Sequence, residues 1–215
     1  AISRPAEYDY THKKQTGGSG QYAKVAGSIE PLPLDQHEDY LFVNNIVGGS
    51  IPKEYIPGCD KGFHEQVQEG ILIGQPLVGV KVTLSDGQYH PVDSSEMAFR
   101  TAAKMAMREA LAKANPIILE PIMKLETSAP EEFQGVVIGQ LNQRRGIIVN
   151  TKSDAGYVVV EAEVPLKDMF GYSGDLRSVT QGKGEFTMEF LKYTPVPKLI
   201  QEDIIKEYKE RMGKK

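Results

Sequence analysis

Lys13, Lys14 and Lys24 stand with no acid between them in the stretch from His12 to Val25, and the run Gly17-Gly18-Ser19-Gly20 divides them. Ammonium groups on the two arms of a turn can converge on a polyanion. Glycines there permit positive φ and a backbone approach that a Cβ would block. Phosphate is the anion this combination suits, and His12, Gln15 and Gln21 add hydrogen-bonding groups to the same stretch. The competing interpretation is a solvated loop with ordinary surface lysines.

His90 is the second candidate, flanked by Tyr89 and Pro91, with Asp93, Ser94 and Ser95 close behind and Asp86-Gly87 just ahead in what reads as a turn. An acid–base centre needs an orienting partner and a nucleophile. Asp93 is expected to cap the following helix, which removes it from such a triad. A loop-borne imidazole that hydrogen-bonds phosphate or ribose and stacks on bases fits better, and RNA is recognised in that way. Arg144 and Arg145 sit where a helix should end, so they serve either its macrodipole or a phosphate contact. His12, His37 and His64 lack the spaced carboxylates or thiols of a metal site, and no metal is expected. Cys59 has only Lys61 as a basic neighbour and is expected to be inert. No Gly-x-x-x-x-Gly-Lys-[Ser/Thr] pattern occurs, so nucleotide hydrolysis is not expected of these residues.

Composition sets the frame for these sites. The 215 residues carry 40% hydrophobic and 25% charged side chains, ordinary globular usage that argues against disorder. A chain longer than the roughly 150 residues of one domain suits one large or two small domains. A single cysteine rules out an internal disulfide, and no apolar run approaches membrane-spanning length. The net charge of −4 is spread over both halves, so any basic patch must be local. A large RNA surface touched at several points suits that better than a DNA groove filled by one basic face. The chain begins at Ala1 rather than methionine and enters at once on strand-like sequence, as a piece of a longer protein would.

The elements that must hold the sites follow from pattern. Gln21 to Ile29 and Tyr40 to Val47 read as strands, Asp60 to Glu69 as a helix closed by Gly70, and Gly79 to Leu84 as a strand ending in the turn Ser85-Asp86-Gly87. Asp93-Ser94-Ser95-Glu96 is a capping signal. In the helix behind it Phe99, Ala102, Ala103, Ala106, Ala110 and Ala114 share one face, a small-residue stripe that lets a helix lie close on a sheet. Pro116 stops it. The order then restarts as strand (Ile117 to Glu126), helix capped by Ser128-Ala129-Pro130-Glu131, two strands (Ile147 to Thr151, Tyr157 to Val164), a short helix near Gly174 to Gln181 with Ser173 as cap, and a last strand (Gly184 to Tyr193). That is the split βαβ order. A charged helix from Glu202 to Met212 follows.

The glycine turn, Tyr89-His90-x-Val92-Asp93-Ser94-Ser95-Glu96, Leu119-Glu120-Pro121-Ile122-Met123 and Met169-Phe170-Gly171-Tyr172 form an ordered set. Gln140 to Gly146 and Thr187-Met188-Glu189-Phe190 extend it over nearly the whole chain. Together they resemble translation elongation factor G, in its fourth and fifth domains. The resemblance implies an α+β chain of two domains: a ribosomal protein S5 domain 2-like α/β domain over 1–117 and a ferredoxin-like βαββαβ domain over 118–195, with a C-terminal helix and tail over 196–215. It further implies that two adjacent loops, His12 to Gln21 and Asp86 to Val92, form a tip that reaches the decoding region of the small ribosomal subunit. Gln21 and His90 are the principal contacts in that picture, and the second domain lies near large-subunit RNA. His90 also falls where the eukaryotic counterpart has a modified histidine.

On this basis the expected partners are the ribosome, tRNA and mRNA, with no membrane. GTP and magnesium belong to the parent protein and no cofactor to this part, which is expected to be no enzyme by itself. Ser19 stands where bacterial translocases commonly have arginine. With Phe133-Gln134-Gly135 and the lysine-rich end, it resembles mitochondrial factors and a related bacterial subgroup, so bacterial cytoplasm is expected, with the mitochondrial matrix as alternative. Other classes consistent with the residues are a ribosome-recycling paralogue, a free-standing RNA-binding ribosomal protein and, least favoured, a small acid–base enzyme centred on His90.

Overall fold

The computed structural model describes residues 1–15, 18, 20–35 and 38–214. Gly17 and Ser19, both singled out above, and His37 lie outside the described residues. The chain divides into two compact units, Ala1–Ile118 with Pro197–Lys215, and Leu119–Val196.

In the first unit β1 (Ala6–Lys14), β2 (Gln21–Pro31), β3 (Tyr40–Asn44) and β4 (Val80–Gln88) form a sheet of order β1-β2-β4-β3. β1, β2 and β4 pair antiparallel, while β3 runs parallel to β4. The helices α1 (Ile56–Glu69) and α2 (Glu96–Lys113) supply the apolar layer on the sheet. Alternating β residues Ala23, Val25, Val80, Val82 and Leu84 are buried there against Phe63, Phe99 and the alanine stripe of α2. Each large side chain so removed from water contributes about 1.5–3 kcal/mol. Small residues set the spacing between the helices: a Cβ at Gly62 would fall 2.2 Å from the Arg100 carbonyl oxygen, so only glycine lets α1 pack this closely on α2. Gly70 ends α1 at φ 68°, as its position predicts.

Two boundaries differ from the sequence reading in ways that matter for the site. Ser85-Asp86-Gly87 is not a turn. β4 continues through it to Gln88 because β2 offers Lys24 to Ala26 as partners beyond a bulge at Ala26/Gly27. The cap of α2 is Ser95, whose Oγ accepts the Ala98 N–H at 3.1 Å, rather than Asp93.

The second unit is a four-stranded antiparallel sheet of order β6-β7-β5-β8, built from β5 (Leu119–Pro130), β6 (Ile147–Asp154), β7 (Tyr157–Pro165) and β8 (Glu185–Pro195). With α3 (Gln134–Gln143) between β5 and β6, and α4 (Tyr172–Val179) between β7 and β8, this is the expected βαββαβ order. Leu125, Val158, Val160 and Val164 meet Val137, Leu141, Tyr172 and Leu176 in its core, where the Thr127 and Tyr172 hydroxyls bond at 2.8 Å. Ser128 belongs to β5; Pro130, the last residue of β5, holds the N-cap position of a 3-10 turn, Glu131–Phe133, that leads into α3, but neither that turn nor α3 nor α4 has a side-chain cap, and Ser173 lies inside α4 behind Gly171 at φ 79°. The terminal helix α5 (Lys198–Gly213) belongs to the first unit, where Gln201 Oε1 accepts the Ile118 N–H at 2.9 Å.

Candidate nucleic-acid interface

The β1–β2 hairpin and the loop after β4 leave the first sheet at the same end, and hydrogen bonds lace them together. The Tyr22 N–H donates to the Asp93 carbonyl at 2.9 Å, and the Ser94 hydroxyl donates to the Tyr22 carbonyl at 2.7 Å. Ser94 Oγ also accepts the His90 N–H at 2.8 Å. Gly20 completes the seam: a Cβ there would lie 3.2 Å from the Asp93 carboxylate and from the Lys14 carbonyl oxygen. Two segments some 70 residues apart in sequence are thus one structural feature.

His90 is held as a hydrogen-bond donor. The N–H groups of Val92 and Asp93 point at its Nδ1 at 3.2 and 3.3 Å, so that nitrogen accepts and Nε2 carries the proton. The ring lies edge-on to Tyr22 at 6.5 Å, and its side chain is about half exposed. The Asp93 carboxylate stands 3.6 Å from Nδ1. The serines an enzyme would need are already engaged: Ser94 bridges His90 to Tyr22, and Ser95 caps α2. Neither is set up as a nucleophile.

Across the hairpin, His12 Nε2 and Gln21 Oε1 lie 2.8 Å apart, which orients the Gln21 amide. Lys13, Lys14, Gln15 and Gly18 are exposed. Lys24 is different: its ammonium is 3.7 Å from Asp9, back along the hairpin, and is partly neutralised there. Asp86 is exposed but sits in β4, where its carboxylate accepts the Gly87 N–H at 2.8 Å. Gly87 is buried, and a Cβ there would meet Ile51 at 2.6 Å and the Lys24 carbonyl oxygen at 2.3 Å. It is a packing glycine and presents no surface to a ligand.

Arg144 and Arg145 lie in the second unit and are consumed by it. Arg144 donates to the carbonyls of Asp168 and Phe170 at 2.7 and 3.0 Å, pairs with Asp175 at 2.5 Å, and sits over the Tyr172 ring at 5.3 Å. Only 16% of its side chain is exposed. Arg145, at φ 62°, pairs with the buried Glu120 at 2.8 Å and with Asp168 at 3.1 Å. Its guanidinium is held charged by the Glu120 hydrogen bond first and by both carboxylates together. These partners lie 23 to 31 residues away, so local spacing carried no sign of them.

Cys59 is buried under the first sheet, and burial pushes its thiol up to about 12. Among the described residues no group of His, Cys, Asp and Glu could hold a metal ion. Among them, too, no helix is long and apolar enough to cross a membrane.

The family "Elongation factor G, domain IV" matches residues 1–115, and "Elongation factor G C-terminus" matches residues 117–204. The chain therefore belongs to the elongation factor G family. It is 61% identical over 98% of its length to Elongation factor G 2 of Bdellovibrio bacteriovorus, and 56% identical over 98% to Elongation factor G 1 of Treponema pallidum. It spans about 30% of the length of each of these relatives. A solved structure from Thermus thermophilus superposes with a TM-score of 0.88 at 39% identity, covering 97% of this chain and 31% of that one.

Proposed function

We propose that this chain is the ribosome-engaging part of a translational GTPase of the elongation factor G type, and that it promotes tRNA–mRNA translocation by inserting the laced loops at the small-subunit decoding site. The observation that carries this proposal is the seam between the hairpin and the His90 loop. It presents Lys13, Lys14, the Gln21 amide and the His90 Nε2–H from one end of a rigid sheet. Such groups suit phosphate, ribose hydroxyls and base edges, and RNA recognition depends on them.

No bond need be made or broken by these residues. Occupation of the decoding site biases a conformational equilibrium of the ribosome against backward slip, and the GTPase part of the parent, with GTP and magnesium, sets the timing. The second unit is assigned to large-subunit RNA. The bacterial relatives named above favour the bacterial cytoplasm over the mitochondrial matrix as the place of action.

In the full-length factor, His90→Ala or Gln21→Ala should slow translocation while ribosome-stimulated GTP hydrolysis stays near normal. Equal loss of both activities would overturn the tip role. Splitting of ribosomes into subunits without any translocation would select the recycling paralogue instead.

A further inference from the structure

A third loop shares the end of the sheet from which the two laced loops project. β3 runs parallel to β4, with Tyr40 opposite Val80 and Asn44 opposite Leu84. The chain leaving β3 therefore emerges where β4 carries Gln88 towards His90. It is fastened there: Ile51 packs at the Cβ position of Gly87, the Tyr55 ring stacks on Phe99 at 5.2 Å, and the Tyr55 hydroxyl donates to the Ser94 carbonyl at 3.4 Å.

The outermost part of this loop is Val47-Gly48-Gly49-Ser50. Val47 is 82% exposed, and Gly48 and Gly49 have φ of 66° and 69°, the φ signs of a type I′ corner that side-chain-bearing residues adopt only with strain. A Cβ at either glycine would meet nothing within 4 Å, so packing does not demand glycine here; the backbone conformation does. Ile46 N–H is taken by Asn44 Oδ1 at 3.0 Å and Asn45 N–H by the Leu84 carbonyl at 2.8 Å. Gly48 and Gly49 are the central residues of a hydrogen-bonded turn that occupies the Ser50 N–H; among the described residues no acceptor meets the N–H groups of Val47, Gly48 or Gly49. A run of free amides on a glycine corner, bare of side chains, is a phosphate-binding arrangement. Lys53 is an exposed cation beyond it, with Glu54 next to it.

We infer that Val47 to Ser50 form a third nucleic-acid contact, in which backbone amides bind a phosphate of the RNA strand flanking that met by the hairpin and the His90 loop. This rests on the RNA-binding role proposed for the tip. The occupant is an RNA backbone rather than a ribosomal protein, because the surface offers amide donors and a single exposed aliphatic side chain instead of an apolar patch.

A hydroxyl-radical probe tests it. Fe(II)–EDTA is tethered to the 215-residue chain at Val47→Cys or, separately, at Gln21→Cys, and each is bound to ribosomes carrying mRNA and tRNA. Native Cys59 is fully buried and does not take the tether. Strand cleavage of ribosomal RNA, tRNA or mRNA from both positions, at neighbouring nucleotides, is expected. Val47→Asp, which sets a carboxylate beside the amides, should weaken ribosome binding about tenfold by repelling the phosphate. Cleavage from Gln21→Cys alone, with Val47→Asp binding like the parent, overturns the third contact and leaves the tip role standing. No cleavage from either position overturns both. Radical damage confined to a ribosomal protein next to Val47 overturns the RNA assignment.

Discussion

The hairpin of the first unit and the arginine corner of the second both look, in sequence, like clustered cations beside a glycine, yet the fold treats them in opposite ways. Lys13 and Lys14 project from a strand end into solvent. Arg144 and Arg145 are engaged by two carbonyls, three carboxylates and an aromatic ring of their own unit. A cation offers itself to a partner only when its own fold has not already used it, and what decides this is the acidic residues that topology brings near. Asp168 and Asp175 arrive at the corner from the segment after β7 and from α4. Along the described part of the hairpin, Asp9 takes Lys24, and no ion pair engages the outer two lysines among the described residues.

The largest effect should come from the corner. Arg144→Ala removes hydrogen bonds to two carbonyls and one carboxylate from a mostly buried guanidinium, at about 2–3 kcal/mol for the second unit. Hydrogen exchange resolved by unit measures this, and protection unchanged in Leu119–Val196 would mean the arginine is spare after all.

Glycines sharpen the contrast next. Gly62→Ala drives a Cβ into the Arg100 carbonyl and should cost about 1–3 kcal/mol by overpacking, whereas Gly18→Ala, with nothing within 4 Å, should stay within about 0.5 kcal/mol. Equal denaturant midpoints for the two variants would contradict the division between packed body and open tip.

A smaller, pH-dependent effect belongs to Cys59. Its folded pKa of about 12 lies above the ordinary 9.0, so its contribution to stability is complete below pH 9. That contribution is lost as pH rises towards 12, by at most about 1.4 kcal/mol per unit. Denaturant unfolding against pH, beside a Cys59→Ala control, checks the sign. Rapid native-state alkylation at pH 8 would show that the thiol is not buried.

Much of this organisation was legible from residue pattern. The alanine stripe of α2, the terminating Gly70 and the βαββαβ order all follow from local spacing, and they appear where that spacing puts them. What failed was decided by distant partners. Ser85-Asp86-Gly87 has turn chemistry, but three backbone pairs with β2 hold the end of β4 in a strand. Asp93 looks like a cap until Ser95, two residues on, takes the position and frees its carboxylate to stand beside His90. The lacing through Tyr22 carried no sequence signal, because it uses backbone atoms and a serine hydroxyl. The corner at Gly48 and Gly49 was not picked out from the pattern, and its position beside the tip follows only from the parallel pairing of β3 with β4.

The most direct test of the contrast is the salt dependence of ribosome binding. Plotting log Kd against log salt for the parent, Lys13→Gln/Lys14→Gln and Arg145→Gln chains counts the phosphates each cation meets, at roughly 0.7–0.9 in slope per contact. The double lysine variant should lose about 1.4–1.8 in slope while Arg145→Gln keeps the parent value. A parent-like slope after loss of both lysines, or a reduced slope after loss of Arg145, would contradict the assignment of the hairpin as the RNA-facing element.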